Sequence, residues 1–251
     1  MIAIIKRLLP IIFIFTLLCQ VPSANAEEVS VAIFIEPPFA DVVDNKFVGQ
    51  NIEILKVLLI PLELTPVFVR CPFARCLTLV EQGKVDMIMG LKKLPEREKN
   101  LIFLEPPHMV QHYPLRFFTL TANKTIINKF EDLEKLTVGT LRGGRYFEQF
   151  DNDTAIAKVE LNSRKQLVEM LLRGRIDTFI EREESVLPYL SLTEYLKQFS
   201  LANYQYTKDV NSYIAVSKHS AIKVYAERLT TQLNKLVDNG TMKTIRMKSY
   251  H

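Results

Sequence analysis

Three apolar, β-rich runs separated by two helical stretches constrain this chain more than any other feature. Val29–Ile35 is such a run and stops at Pro37-Pro38. Gln50–Leu59 carries Ile52, Leu55, Val57, Leu58 and Leu59 at helical spacing, and Pro61 ends it. Leu64–Arg70 reads as the next strand. Phe73–Gln82 reads as a helix with Gly83 beyond its end, and Val85–Met89 as a fully apolar strand. A βαβαβ order implies a parallel sheet with right-handed crossovers, covered by helices on its faces.

The theme returns further along. Leu115–Leu120, Leu136–Leu141, Ala157–Leu161 and Ile176–Ile180 read as strands. Gly143-Gly144 is expected to open a helix through Gln149, and Ser163–Arg173 to form another, closed by Gly174. Ser220 is placed to cap a last long helix carrying Ile222, Tyr225, Leu229, Leu233 and Leu236. The fold class expected is therefore α/β, with two lobes and a ligand cleft between them. Phe103–His108, rich in proline, is expected to join the lobes. Lobe one is expected over 27–110, with 213–251 returning to it, and lobe two over 111–212.

Residues 1–26 read as a secretory signal peptide. Lys6-Arg7 is the basic start, Leu8–Leu18 the apolar stretch, and Ala24-Asn25-Ala26 the small-residue cleavage signal. The apolar stretch is far shorter than the ~20 residues of a membrane-spanning helix. With it gone, 30 basic residues face 28 acidic ones, a net charge of +2. That balance excludes a phosphate-tracking nucleic-acid binder. Hydrophobic residues at 48% and charged residues at 24% exclude a disordered chain. The remaining cysteines, Cys71 and Cys76, are an even pair in an exported chain, which favours a disulfide over two buried thiols. The chain has no P-loop, dinucleotide fingerprint or Gly-x-Ser-x-Gly elbow, and no cofactor or metal is expected.

Four patches carry a family resemblance: Glu36-Pro37-Pro38-Phe39, Gln82-Gly83-Lys84-Val85-Asp86, Pro95-Glu96-Arg97 followed by Ile102-Phe103 and Pro106, and Gly174-Arg175-Ile176-Asp177. In this order and spacing, the chain from residue 29 onward resembles the family 3 extracellular solute-binding proteins. These are the polar-amino-acid type of periplasmic binding protein used by ABC importers. The resemblance implies a type II periplasmic-binding-protein fold, a small-molecule solute as ligand, an inner-membrane ABC permease as partner, a periplasmic location and a monomer.

It also implies site roles. Arg97 matches the arginine that holds a ligand carboxylate, a task suited to a guanidinium fork. Phe73 matches an aromatic that stacks on the ligand. Gly90 and Leu91 match a segment facing the cleft, and Phe39 belongs to the opening patch. Gly143-Gly144 matches a turn at a helix start, where free N–H groups attract an anion. The residue expected to bind a ligand ammonium is Arg182 here, and an arginine cannot accept from an ammonium. Glu36, Glu181 or Glu183 is then the replacement acceptor, or the ligand lacks that group. Arg75, Arg97, Arg142, Arg145 and Arg182 together point to a cationic cleft. The expected ligand is a small polar solute, anionic or amino-acid-like. A sensing protein without a transporter and a dehydratase-like enzyme on the same fold are the alternatives, with Glu36 or Glu183 as general acid in the second.

Overall fold

The computed structural model describes residues 26–190, 193 and 197–248, so the expected signal segment lies outside the described residues apart from Ala26. The first sheet is built around β1 (Glu27–Ile33), which is buried on both faces and so reads as a nearly continuous apolar run. It pairs in parallel with β4 (Leu64–Arg70) along its whole length and with β5 (Met87–Leu91) on the other side. The strand order is β4-β1-β5-β13-β6, with β7 on β13, where β6 is Leu101–Phe103, β7 Met109–Gln111 and β13 Val210–Ser217.

Helix α1 (Gln50–Leu59) buries Ile52, Leu55, Leu58 and Leu59 against one face of this sheet. Leu229 and Leu233 of a helix over Ala226–Asp238 share that core. Helix α2 (Phe73–Glu81) covers the opposite face through Phe73, Cys76 and Val80. A small hairpin, β2 (Asp41–Val43) with β3 (Lys46–Val48), turns through Asp44 and Asn45, both at positive φ, a conformation that Asn and Asp tolerate.

The second sheet runs β10-β9-β11-β8-β12. Here β8 is Leu115–Leu120, β9 Thr137–Leu141, β10 Ala157–Leu161, β11 Thr178–Arg182 and β12 Phe199–Tyr206. β9 is parallel to β10 and β11, while β8 and β12 are antiparallel additions. Ser163 caps the helix Arg164–Leu172 by accepting from the Gln166 N–H.

Two local expectations need correction. No helix opens at Gly143-Gly144. That segment is a turn in which the Gly144 N–H donates to the Leu141 carbonyl, and the helix begins only at Glu148. Nor does Phe103–His108 cross between lobes. β6 pairs with β13, the Leu104 N–H donates to the Ile214 carbonyl, and Leu104 and His108 are buried in the first lobe. The chain crosses instead between β7 and β8, and returns between β12 and β13. At that waist His112 Nδ1 lies 3.0 Å from Asp209 Oδ2, both side chains being exposed.

Candidate functional site

Most of the side chains that meet between the two sheets come from the C-terminal ends of strands, where open α/β sheets place their ligands. Phe34 and Glu36 follow β1, Gly90 and Lys92 lie at the end of β5, Gly144 and Tyr146 follow β9, and Glu181 and Arg182 end β11. Together with Phe73, Arg97 and Arg164 they surround a cavity of about 100 Å³. A roomier, more apolar gap of about 450 Å³ continues past Phe34 and Phe73 to Cys71 and Pro72.

Phe34 and Phe73 form an edge-to-face pair with centroids 4.9 Å apart. Gly90, at φ +96°, is needed here, because a Cβ at that position would stand 3.0 Å from Phe34 Cζ. Cys71 and Cys76 are joined as a disulfide, with Cα atoms 5.3 Å apart, and the bridge closes the turn that presents Phe73.

Arg97 is only 4% exposed and its guanidinium sits 6.0 Å from the Phe73 ring centroid. Nη1 donates to the Lys92 carbonyl at 3.1 Å and Nη2 to the Gly143 carbonyl, on the other lobe, at 3.2 Å. Burial, and then the nearby Arg145, lowers its pKa from the usual arginine value. Lys92 donates to the Tyr146 carbonyl across the same gap. Burial brings its pKa down to about 8, with Arg182 and Arg97 adding to the shift and Asp151 opposing it.

A second cluster is carboxylate-based. Arg164 Nη2 lies 3.0 Å from Glu36 Oε1, and Arg164 Nε lies 3.1 Å from Glu181 Oε1. The Nε contact is an ion pair without hydrogen-bond alignment, since the Nε–H has no aligned acceptor. Ser185 Oγ also donates to Glu36 Oε1, at 3.2 Å. Burial works against the charge on Arg164, but Glu181 and Glu36 outweigh it and hold the guanidinium protonated. Burial raises the Glu181 pKa, which Arg164 opposes.

Of the residues singled out in the sequence, Glu36, Phe73, Gly90, Arg97, Gly144, Arg145 and Arg182 line the cavity. Gly143 contributes its carbonyl to Arg97 but offers no helix N-terminus to an anion. Phe39 does not line the cavity, and its carbonyl accepts from the Asn51 N–H. Arg75 is exposed and lies outside the cavity wall. Arg164 and Tyr146 are unforeseen members. Arg164 was legible in principle, as the first residue after the Ser163 cap at the end of a strand.

This arrangement, two sheets with a cationic cleft between strand ends, agrees with what the chain resembles. A family model, bacterial extracellular solute-binding proteins, family 3, matches residues 29–250. The chain belongs to this family. A search of curated protein sequences gave no match. Among solved structures, an ancestral arginine-binding protein bound to arginine is similar with a TM-score of 0.73 at 20% identity, over 90% of this chain and 100% of that one. An arginine third transport system periplasmic binding protein from Legionella pneumophila is similar at 0.73 and 16% identity, over 89% and 100%. The amino acid ABC transporter substrate-binding protein AbpA from Streptococcus pneumoniae, bound to L-arginine, is similar at 0.70 and 23% identity, over 87% and 92%. At these identities the likeness establishes the fold, two lobes of mixed α/β structure. The family is one of extracellular solute-binding proteins, and among the described residues no helix is long and apolar enough to cross a membrane.

Proposed function

We propose that this protein is a periplasmic solute-binding protein that captures a small polar solute, anionic or amino-acid-like, between its lobes and delivers it to an inner-membrane ABC permease. The lobes comprise 27–111 with 210–251, and 115–206, and they close about the crossings beside His112 and Asp209. The protein acts as a monomer, without cofactor or catalytic step. The leading 26 residues direct export to the periplasm of a Gram-negative envelope and are cleaved in the process.

One observation carries this reading. Arg97 is a buried guanidinium at the cavity wall that donates to two backbone carbonyls and, among the described residues, pairs with no carboxylate. A desolvated cation of that kind is suited to an oxyanion supplied by a ligand. The roles of Glu36, Phe73, Gly90, Arg145 and Arg182 follow from the same cavity, with Phe73 covering the solute and the others framing it.

The test is a thermal-shift screen of the mature protein against amino acids, mono-, di- and tricarboxylates and phosphorylated acids. A ligand at about 100 times its Kd adds about 2.7 kcal/mol of stability. Stabilisation by one chemical class supports the reading, and the absence of any shift across the whole set overturns it.

A further inference from the structure

Five cationic side chains line the cavity, Lys92, Arg97, Arg145, Arg164 and Arg182, against two carboxylates, Glu36 and Glu181. Both carboxylates are already engaged by one of the five. Arg164 bridges Glu36 on the first lobe and Glu181 on the second, at 3.0 and 3.1 Å. The remaining oxygen of Glu181, Oε2, accepts from the Arg182 N–H at 3.3 Å, and Ser185 adds a donor to Glu36. The acidic groups of the cleft thus already have a resident cation.

The other cations are in the opposite condition. Arg145 lies 3.7 Å from Glu96 in a half-exposed pair. Among the described residues, Lys92, Arg97 and Arg182 form no ion pair with any carboxylate. They donate instead to the carbonyls of Tyr146, of Lys92 and Gly143, and of Tyr113, respectively. Three buried or half-buried positive charges around one small space each lose solvation there, a cost that Asp151 near Lys92 and Glu181 and Glu184 near Arg182 offset only in part. A single negative charge leaves most of that imbalance in place.

We infer that the cleft is built for a small dianionic acid without an ammonium group, a dicarboxylate, and that Arg164 occupies the role a ligand ammonium would play by pairing with both Glu36 and Glu181. This rests on the solute-binding reading above and narrows its ligand. An entering ammonium meets two wall carboxylates already paired with Arg164 and three cations without an ion pair, so the surrounding charge disfavours it.

The experiment uses matched probes that differ only at that group: malonate, succinate, glutarate and adipate, each against its 2-amino counterpart, with butyrate as a monoanion and arginine as a cationic amino acid. Calorimetry and thermal shift are read on the mature protein. At least one dicarboxylate is expected to bind, about tenfold or more tighter than its amino counterpart and than butyrate. An amino acid that binds as tightly as its ammonium-free partner overturns the inference. So does binding of monoanions or arginine with silence from every dicarboxylate, and in both cases the solute-binding reading survives. Silence from every compound of the wider screen overturns that reading as well. Arg164→Met frees Glu36 and Glu181, and is expected to move the preference toward the amino member by about tenfold. Glu36→Gln removes a wall carboxylate and adds to the cationic excess, and is expected to widen the dicarboxylate preference. An unchanged preference in R164M, or a switch to the amino member in E36Q, removes Arg164 from this role.

Discussion

Arg97 Nη2 donates across the cleft to the carbonyl oxygen of Gly143, 3.2 Å away, while its Nη1 is tied to the Lys92 carbonyl of its own lobe. The same guanidinium therefore fixes the loop after β5 and touches the turn after β9. A ligand oxyanion that meets this group sits where the two lobes meet, which couples capture to closure.

Arg97→Ala is expected to weaken solute binding by about 30-fold or more, the cost of leaving a buried carboxylate without its partner. Arg97→Lys retains the charge but not the fork and should fall between the two. Calorimetry with the best ligand of the screen decides it. Binding by R97A within about threefold of wild type means that Arg97 does not hold the ligand.

Arg164→Ala leaves Glu36 and Glu181 facing each other, buried and unpaired. Removing one partner from a buried pair costs about 3–5 kcal/mol. Urea unfolding should show that loss, and Glu36→Gln in the same background should recover part of it. Wild-type stability in R164A would mean that the network contributes nothing to the fold.

Lys92, with its pKa brought to about 8 by burial, makes anion binding pH-dependent. The free protein loses this charge near pH 8, while a bound anion holds the proton on. Affinity should then fall by about tenfold between pH 7 and 9, with a proton taken up on binding. Lys92→Met should bind more weakly at pH 7 and show a flat profile. The ligand-free protein moves the other way. Between about 8 and the ordinary lysine value of 10.5 the unfolded chain binds the extra proton, so the Lys92 contribution to stability rises with pH in that window.

The Cys71–Cys76 bridge closes a short loop, worth about 2 kcal/mol by chain entropy. Its larger effect is on Phe73, which lies inside the loop and against Phe34. The exported protein should resist thiol alkylation until reduced. Cys71→Ser with Cys76→Ser should lower stability by about that amount and weaken ligand binding. Two free thiols by mass spectrometry would reject the bridge in the exported protein.

Much of the frame was legible in the residues themselves. β1, α1, β4, α2 and β5 follow from apolar runs and helical spacing, because a parallel sheet with both faces covered writes its burial directly into local hydrophobicity. Strands β12 and β13 carry no comparable local signal. Phe199–Tyr206 and Val210–Ser217 mix polar and apolar residues, and their pairing with β8 and β5 is long-range. The Gly143-Gly144 turn failed for a related reason. Gly144 turns back onto Leu141, and the Tyr146 N–H is taken by Asp151, a bond no local pattern announces.

The order of strands and helices, the paired cysteines and the cationic character of the chain around Arg97, Arg145 and Arg182 were fixed by local chemistry, since hydrophobic period, turn residues and formal charge are properties of short stretches. Which charges face one another was decided only by the tertiary structure. Glu36, Arg164 and Glu181 are separated by up to 145 positions along the chain, and only the approach of one strand end to another brings them within 3.1 Å and gives both carboxylates a cationic partner. Ion pairing falls off with separation in space, and distance along the chain does not report it.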